Sequence, residues 1–175
     1  DIVVLSHAHI DHSGLLPKLV KEGFSGPIYC TPATRDLCTI MLEDSARIQE
    51  YDFAYDLRRA KKRGRPAPEE GPLYEVDDVP PTLAALQAVD YNEVFELATG
   101  VKLTFTDAGH ILGSACVNLA IDRPDGTLHL TFSGDVGRYV DRLLPDPTSF
   151  PQADVIICES TYGDRDHPPV QEKMD

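Results

Sequence analysis

The sequence predicts an α/β chain in which helices pack on one side of a sheet and a strand-rich second half can form a second sheet. Three observations predict it. Short apolar runs, Val3 to Leu5 and Ile28-Tyr29-Cys30, alternate with helical stripes in the first half. Alternating or apolar runs then follow at Val94 to Leu97, Val101 to Phe105, Cys116 to Ile121, Leu128 to Phe132 and Val155 to Cys158. Pro124-Asp125-Gly126-Thr127 between two of these runs is a hairpin turn, because Asp-Gly accepts the positive backbone angles of a tight reversal.

Each element has a local reason. Val3 to Leu5 is all apolar and ends in small and polar residues, as a buried strand feeding a loop does. Ser13 is placed to cap the next helix, whose stripe is Leu15, Leu16, Leu19 and Val20 and which ends near Gly23. Ile28 to Cys30 forms a second strand. Thr31-Pro32 then starts a helix reaching about Gln49, since proline at the first helical position loses no needed hydrogen bond. Leu37, Ile40, Met41 and Ile48 are its expected buried face. A short helix is expected over Thr82 to Ala88.

Tyr51 to Pro81 breaks the pattern and reads as an excursion from the core. Six of the eight residues from Arg58 to Arg65 are basic (Arg58, Arg59, Lys61, Lys62, Arg63 and Arg65), and five prolines punctuate the stretch after them. Two readings stand: a solvated surface segment, or an arm that contacts phosphates.

The chain has 175 residues, a formal net charge of −13 and 42% hydrophobic residues, enough to build a core. No apolar run approaches the ~20 residues of a membrane span, and no charged-then-apolar leader opens the chain, so the cytoplasm is the expected compartment. Cys30, Cys38, Cys116 and Cys158 are far apart, without a C-x-x-C pair, and read as reduced, mostly buried thiols rather than metal ligands. Both ends read as cut: Asp1 leads straight into a strand, and Val170 to Asp175 starts what could be a new helix.

The densest chemical signal is His7-Ala8-His9-Ile10-Asp11-His12, four metal-capable side chains in six residues just beyond a strand. Chance produces this pattern on the order of once per thousand such chains. In an extended segment residues two apart project to one side, so His7 and His9 can converge on one ion, while Asp11 and His12, turned by the following helix, face a second. A hexapeptide cannot complete two coordination shells. Two ions about 3.5 to 4 Å apart need further ligands, and two glycine-bordered loops after strands offer them: Gly109-His110 and Ser133-Gly134-Asp135. His129 and His167 read as structural or surface residues.

These motifs, with the strand ending Glu159-Ser160-Thr161-Tyr162-Gly163, resemble the metallo-β-lactamase superfamily and, within it, the β-CASP nucleases that process RNA. The segment Asp44 to Glu50 with the basic stretch after it also resembles bacterial and archaeal RNA-processing members. The resemblance implies an αββα sandwich, two sheets flanked by helices, incomplete at both ends. Residues 1–163 would be part of the metal-binding domain, with 51–81 as its basic, proline-rich excursion, and 164–175 would begin an inserted β-CASP domain.

By position, His7, His9 and His110 would hold one zinc, Asp11 and His12 the other, and Asp135 would bridge them; manganese is an alternative to zinc because oxygen ligands contribute. Glu159 would match the acidic residue of the first β-CASP motif, which works with a downstream histidine near the leaving group. The implied activity is hydrolysis of RNA phosphodiesters by water activated between two cations, with Asp11, Asp135 and Glu159 as catalytic residues. The family's glycine-rich leading strands, its last ligand to the second metal and its general-acid histidine have no counterpart here, so this chain alone is expected to bind metal poorly or to be inactive. RNA is the expected partner, no membrane is, and homo-oligomerisation stays open. Two alternatives remain: a small-molecule hydrolase of the same superfamily, such as a thioesterase or lactonase, and a non-catalytic RNA-processing subunit.

Overall fold

The computed structural model describes residues 1–141 and 143–165. The expected helix from Val170 to Asp175, His167, and all but the first two residues of the expected insertion at 164–175 lie outside the described residues.

Two sheets organise the described residues. Strands β1 (Val3–Val4), β2 (Ile28–Cys30) and β3 (Leu86–Ala88) form a parallel sheet in that order. Strands β4 (Phe95–Ala98), β5 (Val101–Asp107), β6 (Ala115–Arg123) and β7 (Gly126–Phe132) form an antiparallel meander, and β8 (Val155–Ile157) joins its edge parallel to β7. The β6–β7 hairpin reverses at Pro124-Asp125, with Arg123 paired to Gly126 at a φ of 136°.

Helices α1 (Ile10–Ser13), α2 (Leu16–Lys21), α3 (Pro32–Arg63) and α4 (Val79–Ala85) supply the helical part. Because successive residues of a strand face opposite ways, the parallel sheet serves two cores. Ile28, Cys30 and Leu86 pack with Leu16, Cys38, Leu42 and Val79 on the helical side. Val4 and Tyr29 pack with Leu103, Phe105 and Val117 of the second sheet. Among the described residues the layers are therefore helix, sheet, sheet, and no helix follows Ala85.

Several local expectations are corrected. Ser13 is the last residue of α1 rather than the cap of α2; its hydroxyl donates to the carbonyls of Ala8 (2.8 Å) and His9 (3.0 Å), closing the turn that carries the histidines. Helix α3 does not stop near Gln49 but runs to Arg63, because nothing from Tyr51 to Arg63 breaks a helix until Gly64 caps it at a φ of 60°. Its buried stripe is Thr34, Cys38, Leu42 and Ala46, at four-residue spacing. Ile40 and Ile48 are exposed (68% and 53%), while Leu37 and Met41 are partly buried. The stripe is built from small and polar residues as much as large ones, which hid it.

The stretch after α3 is only half an excursion. Leu73 N–H donates to Gln49 Oε1 and Val76 N–H to Glu50 Oε1, returning the chain to α3. Tyr74 is wholly buried, its hydroxyl 2.8 Å from Ser45 Oγ. The expected helix at Thr82 to Ala88 instead ends at Ala85, and Leu86–Ala88 becomes strand β3. Cys30, Cys38 and Cys116 are buried free thiols, but Cys158 is exposed. Among the described residues no helix is long and apolar enough to cross a membrane.

The corrected stripe has a measurable consequence. Leu42→Ala leaves a cavity and should cost about 2–5 kcal/mol in urea unfolding. Ile40→Ala, on the exposed face, should stay within about 0.5 kcal/mol of the parent; equal losses at the two positions would contradict the packing of α3.

Candidate metal centre

The candidate site residues sit at the carboxyl ends of four strands. The hexapeptide follows β1, the His110 loop connects β5 to β6, the Asp135 loop follows β7, and Glu159 follows β8. Backbone bonds sew these ends together. Ala115 N–H donates to Ser6 O (2.9 Å), Gly137 N–H to Ala108 O (2.8 Å) and Ser133 N–H to Ile157 O (2.9 Å). The two glycine-bordered loops touch so closely that a β-carbon at Gly137 would overlap the carbonyl of Gly109. Gly113 (φ 81°) also lies close to the start of α3, where Thr31 and Thr34 donate their hydroxyls to its carbonyl at 2.6 and 2.9 Å.

The hexapeptide changes conformation midway, and that change separates its donors. His9 is extended (φ −55°, ψ 145°) and forms the N-cap of α1, which carries Asp11 and His12. His7 Nε2 and His110 Nε2 both face His9 Nδ1, at 3.1 and 3.2 Å. Asp135 Oδ2 completes this group, 3.7 Å from His7 Nε2 and 3.5 Å from His110 Nε2. The other oxygen, Asp135 Oδ1, lies 3.3 Å from His12 Nε2, which is 3.6 Å from Asp11 Oδ2. Among the described residues the structure thus gathers two donor groups, His7, His9, His110 and Asp135, and Asp11, His12 and Asp135, with the ligand atoms of each within 4.8 Å of one another. No cysteine belongs to either group, and His129 is remote, in strand β7 with its N–H on Asp154 Oδ2.

Supporting side chains that the sequence reading did not single out hold these donors. Ser6 Oγ is 3.1 Å from His7 Nδ1, which aims Nε2 at the centre. Ser114 Oγ accepts the N–H groups of His110 (2.9 Å) and Ile111 (3.2 Å), shaping that loop. The signal for both was a small hydroxyl residue beside a candidate ligand, a pattern too common to stand out.

The electrostatics suit a cation. His7 is pushed down from 6.5 to about 3 by burial first, then by His12, His9 and His110. Burial also lowers His110, against the opposing pull of Asp135. Both rings are neutral at pH 7 and present lone pairs. Three ring nitrogens converging at 3.1–3.2 Å cannot all be satisfied by one another's single protons. Bonds of about 2.0–2.1 Å to a tetrahedral zinc would set such nitrogens roughly 3.3 Å apart. The donor set fits a divalent metal.

Glu159 belongs to neither group. Burial alone would raise its carboxyl, but hydrogen bonds from Val136 N–H and from Thr161 outweigh it and hold it below the usual range. Its Oε1 accepts Val136 N–H at 2.6 Å, and its own N–H donates to Ser133 Oγ at 3.1 Å. A cavity of about 300 Å³ opens between His110, Asp135, Arg138, Glu159 and Tyr162. Arg58, Arg59, Lys61, Lys62, Arg63 and Arg65 are all exposed and are not at this centre; they stand at the far end of α3.

A fold of this layering with metal-capable donors at its strand ends has a counterpart among known proteins. The family model of the metallo-beta-lactamase superfamily matches residues 1–163, and the chain belongs to that superfamily. It is 41% identical over 165 residues to transcription termination factor FttA of Methanosarcina mazei, covering 93% of this chain and 23% of that protein. It is 38% identical over 174 residues to ribonuclease TTHA0252 of Thermus thermophilus, covering 99% of this chain and 35% of that protein. The FttA of Methanocaldococcus jannaschii is 37% identical over 164 residues. The chain spans about a quarter to a third of the length of these relatives. The β-CASP resemblance of the motifs agrees with these relationships, and superfamily membership implies divalent cations, for which the donors are suited.

The depressed His7 gives a pH signature when chelator is present. Between about pH 6.5 and 3 the unfolded chain binds a proton at His7 that the folded chain refuses. Stability is full above that window and falls as pH drops through it. Urea midpoints should therefore decline from pH 6.5 downward, and less steeply in His7→Gln; an identical slope in the variant would place the proton elsewhere.

Proposed function

We propose that this chain is the metal-binding portion of a metal-dependent phosphodiesterase that hydrolyses RNA. The observation that carries the reading is the carboxylate of Asp135, whose two oxygens face two separate donor groups. Relatives named as a ribonuclease and as transcription termination factors support RNA over a small-molecule substrate.

His7, His9 and His110 with Asp135 Oδ2 would hold one cation, and Asp11 and His12 with Asp135 Oδ1 the other. Mixed nitrogen and oxygen donors favour zinc, with manganese as the alternative. When bound, a cation pair lowers the pKa of water to near neutrality and offsets charge gathering on the phosphoryl group. The residues of the chain do the rest. Asp135 fixes the spacing of the two donor groups, and Ser6 locks the ring of His7. Asp11, exposed at the mouth, completes the outer group. Glu159 stays ionised beside the cavity and, through Val136, holds the Asp135 loop against strand β8. A carboxylate so placed can orient a proton donor near the leaving oxygen.

We further infer that residues 1–163 form the metal-binding domain and that 164–175 open a β-CASP insertion, supported by the Glu159 to Gly163 motif. An RNA-processing role is cytoplasmic in this reading.

The longer parent protein should cleave RNA, lose that activity on chelation and regain it when zinc or manganese is restored. Asp135→Ala should lower cleavage by about 100-fold or more and reduce bound metal from about two equivalents to one or fewer by elemental analysis. Cleavage indifferent to chelator and to this variant would refute the proposal.

A further inference from the structure

Helix α3 leaves the body of the protein. Its last anchors are Gln49 and Glu50, which accept Leu73 and Val76 N–H, and Phe53, whose ring reaches Gly71. From Ala54 to Arg63 every residue but Ala60 is exposed, and 64–71 are exposed as well. Gly64 closes the helix, with Arg65 N–H on Ala60 O at 3.0 Å. Three or so turns of helix therefore stand in solvent.

The projecting end has a composition of its own. Against a net charge of −13 for the chain, six of the eight residues from Arg58 to Arg65 are cations. Lys61, Lys62 and Arg63 lie in the last turn, where they also complement the helix dipole. That accounts for part of the charge but not for Arg58 and Arg59, nor for the two tyrosines that precede them. At ~100° per residue, Tyr51, Tyr55, Arg58, Arg59 and Lys62 fall on one face. Tyr51 and Tyr55 are 65% and 50% exposed there. Arg58, Arg59, Lys62 and Arg63 form a shallow groove with Tyr55. Exposed aromatic rings followed by cations along one track suit single-stranded nucleic acid, whose bases stack on rings while its phosphates meet the charges.

The track is far from the metal centre, and the distance can be read off the helix. Thr34, at the start of α3, donates to Gly113 O, three residues from His110. Arg58 to Arg63 lie 24–29 residues beyond Thr34, roughly 36–44 Å at 1.5 Å per residue. A strand rising about 3.4 Å per stacked nucleotide needs on the order of ten nucleotides to bridge that gap.

We propose that the projecting end of α3 is a docking track for the single-stranded portion of an RNA substrate, about ten nucleotides from the bond cleaved. The proposal rests on the RNA reading of the centre for its substrate and on the tyrosine and arginine face for its site. It makes the enzyme selective for RNA length: a short oligonucleotide reaches only the centre, a long one engages both.

The test uses the full-length parent, the variant with Arg58, Arg59, Lys61, Lys62, Arg63 and Arg65 all replaced by Gln, and Tyr51→Ala/Tyr55→Ala. Direct binding is measured by fluorescence anisotropy with a 30-nucleotide oligo-U, in chelator, so the outcome does not depend on cleavage. The six-Gln variant should bind at least ten-fold more weakly, with a flatter salt dependence. The tyrosine variant should lose about ten-fold with the salt slope unchanged, since stacking releases no counterions. In cleavage, KM for the 30-nucleotide RNA should rise by a similar factor while a 5-nucleotide RNA is cleaved as by the parent. An unchanged salt slope in the six-Gln variant, or equal losses on both lengths, would overturn the track. So would intact RNA binding with loss of binding to polyglutamate, which would assign the helix to an acidic protein partner. If the parent cleaves neither RNA, the reading of the centre fails while the binding experiment still decides this one.

Discussion

The carboxylate of Asp135 is shared by two groups of donors, and the surrounding architecture serves that sharing. One oxygen faces His7 and His110, the other faces His12. For this to hold, the loop after β7 must be pressed against the loop after β5 and sewn to the end of β8. The contact of Gly137 with Gly109, the bond from Gly137 N–H to Ala108 O, and the pairing of Glu159 with Val136 do this. The first two work because glycine lets two backbones meet, and the third because the Glu159 carboxylate reaches across to the Val136 N–H. Larger side chains there would part the loops and divide the donors.

Gathering imidazoles in a partly buried site has a cost. His7 is wholly buried and surrounded by three other rings, so it cannot hold a proton at neutral pH. Neutral rings aimed at one point repel through their lone pairs unless a positive charge lies among them. The fold tolerates the arrangement because the rigid strand ends on which the rings sit are anchored by two independent cores. Preorganisation of this kind spares a metal the work of collecting its own ligands.

Helix α3 links the centre to a distant surface. Its first turn, through Thr31 and Thr34, braces the loop that carries His110. Its first half buries a narrow stripe in the core beside the parallel sheet, and its last turns are exposed, with most of the cationic charge of the region. One rigid element thus fixes both the position of a candidate ligand and the reach of the basic surface.

Much of this is legible in the sequence. The hexapeptide announces itself by density, and the second-half strands by alternation long enough to read. Other features had no local signature. Leu86–Ala88 is three residues of a parallel strand whose partners lie more than fifty residues away, so nothing nearby marks it. The stripe of α3 escaped because Thr34, Cys38 and Ala46 are not the large apolar residues that periodicity searches reward. Tyr74 sits among prolines and carboxylates yet is wholly buried, since its hydroxyl finds Ser45.

By itself the sequence determined the kinds of donor, the spacing that splits the hexapeptide between two directions, and the glycines beside His110 and Asp135. These are local matters, set by side-chain chemistry and by the turn from extended chain to helix. Only the tertiary structure decided that His110, more than a hundred residues along, meets His9, that the two oxygens of Asp135 face apart, and that the basic segment lies roughly 40 Å along one helix from Thr34, which braces the His110 loop. Such distances follow from strand pairing and core packing, which depend on contacts between residues remote in the chain.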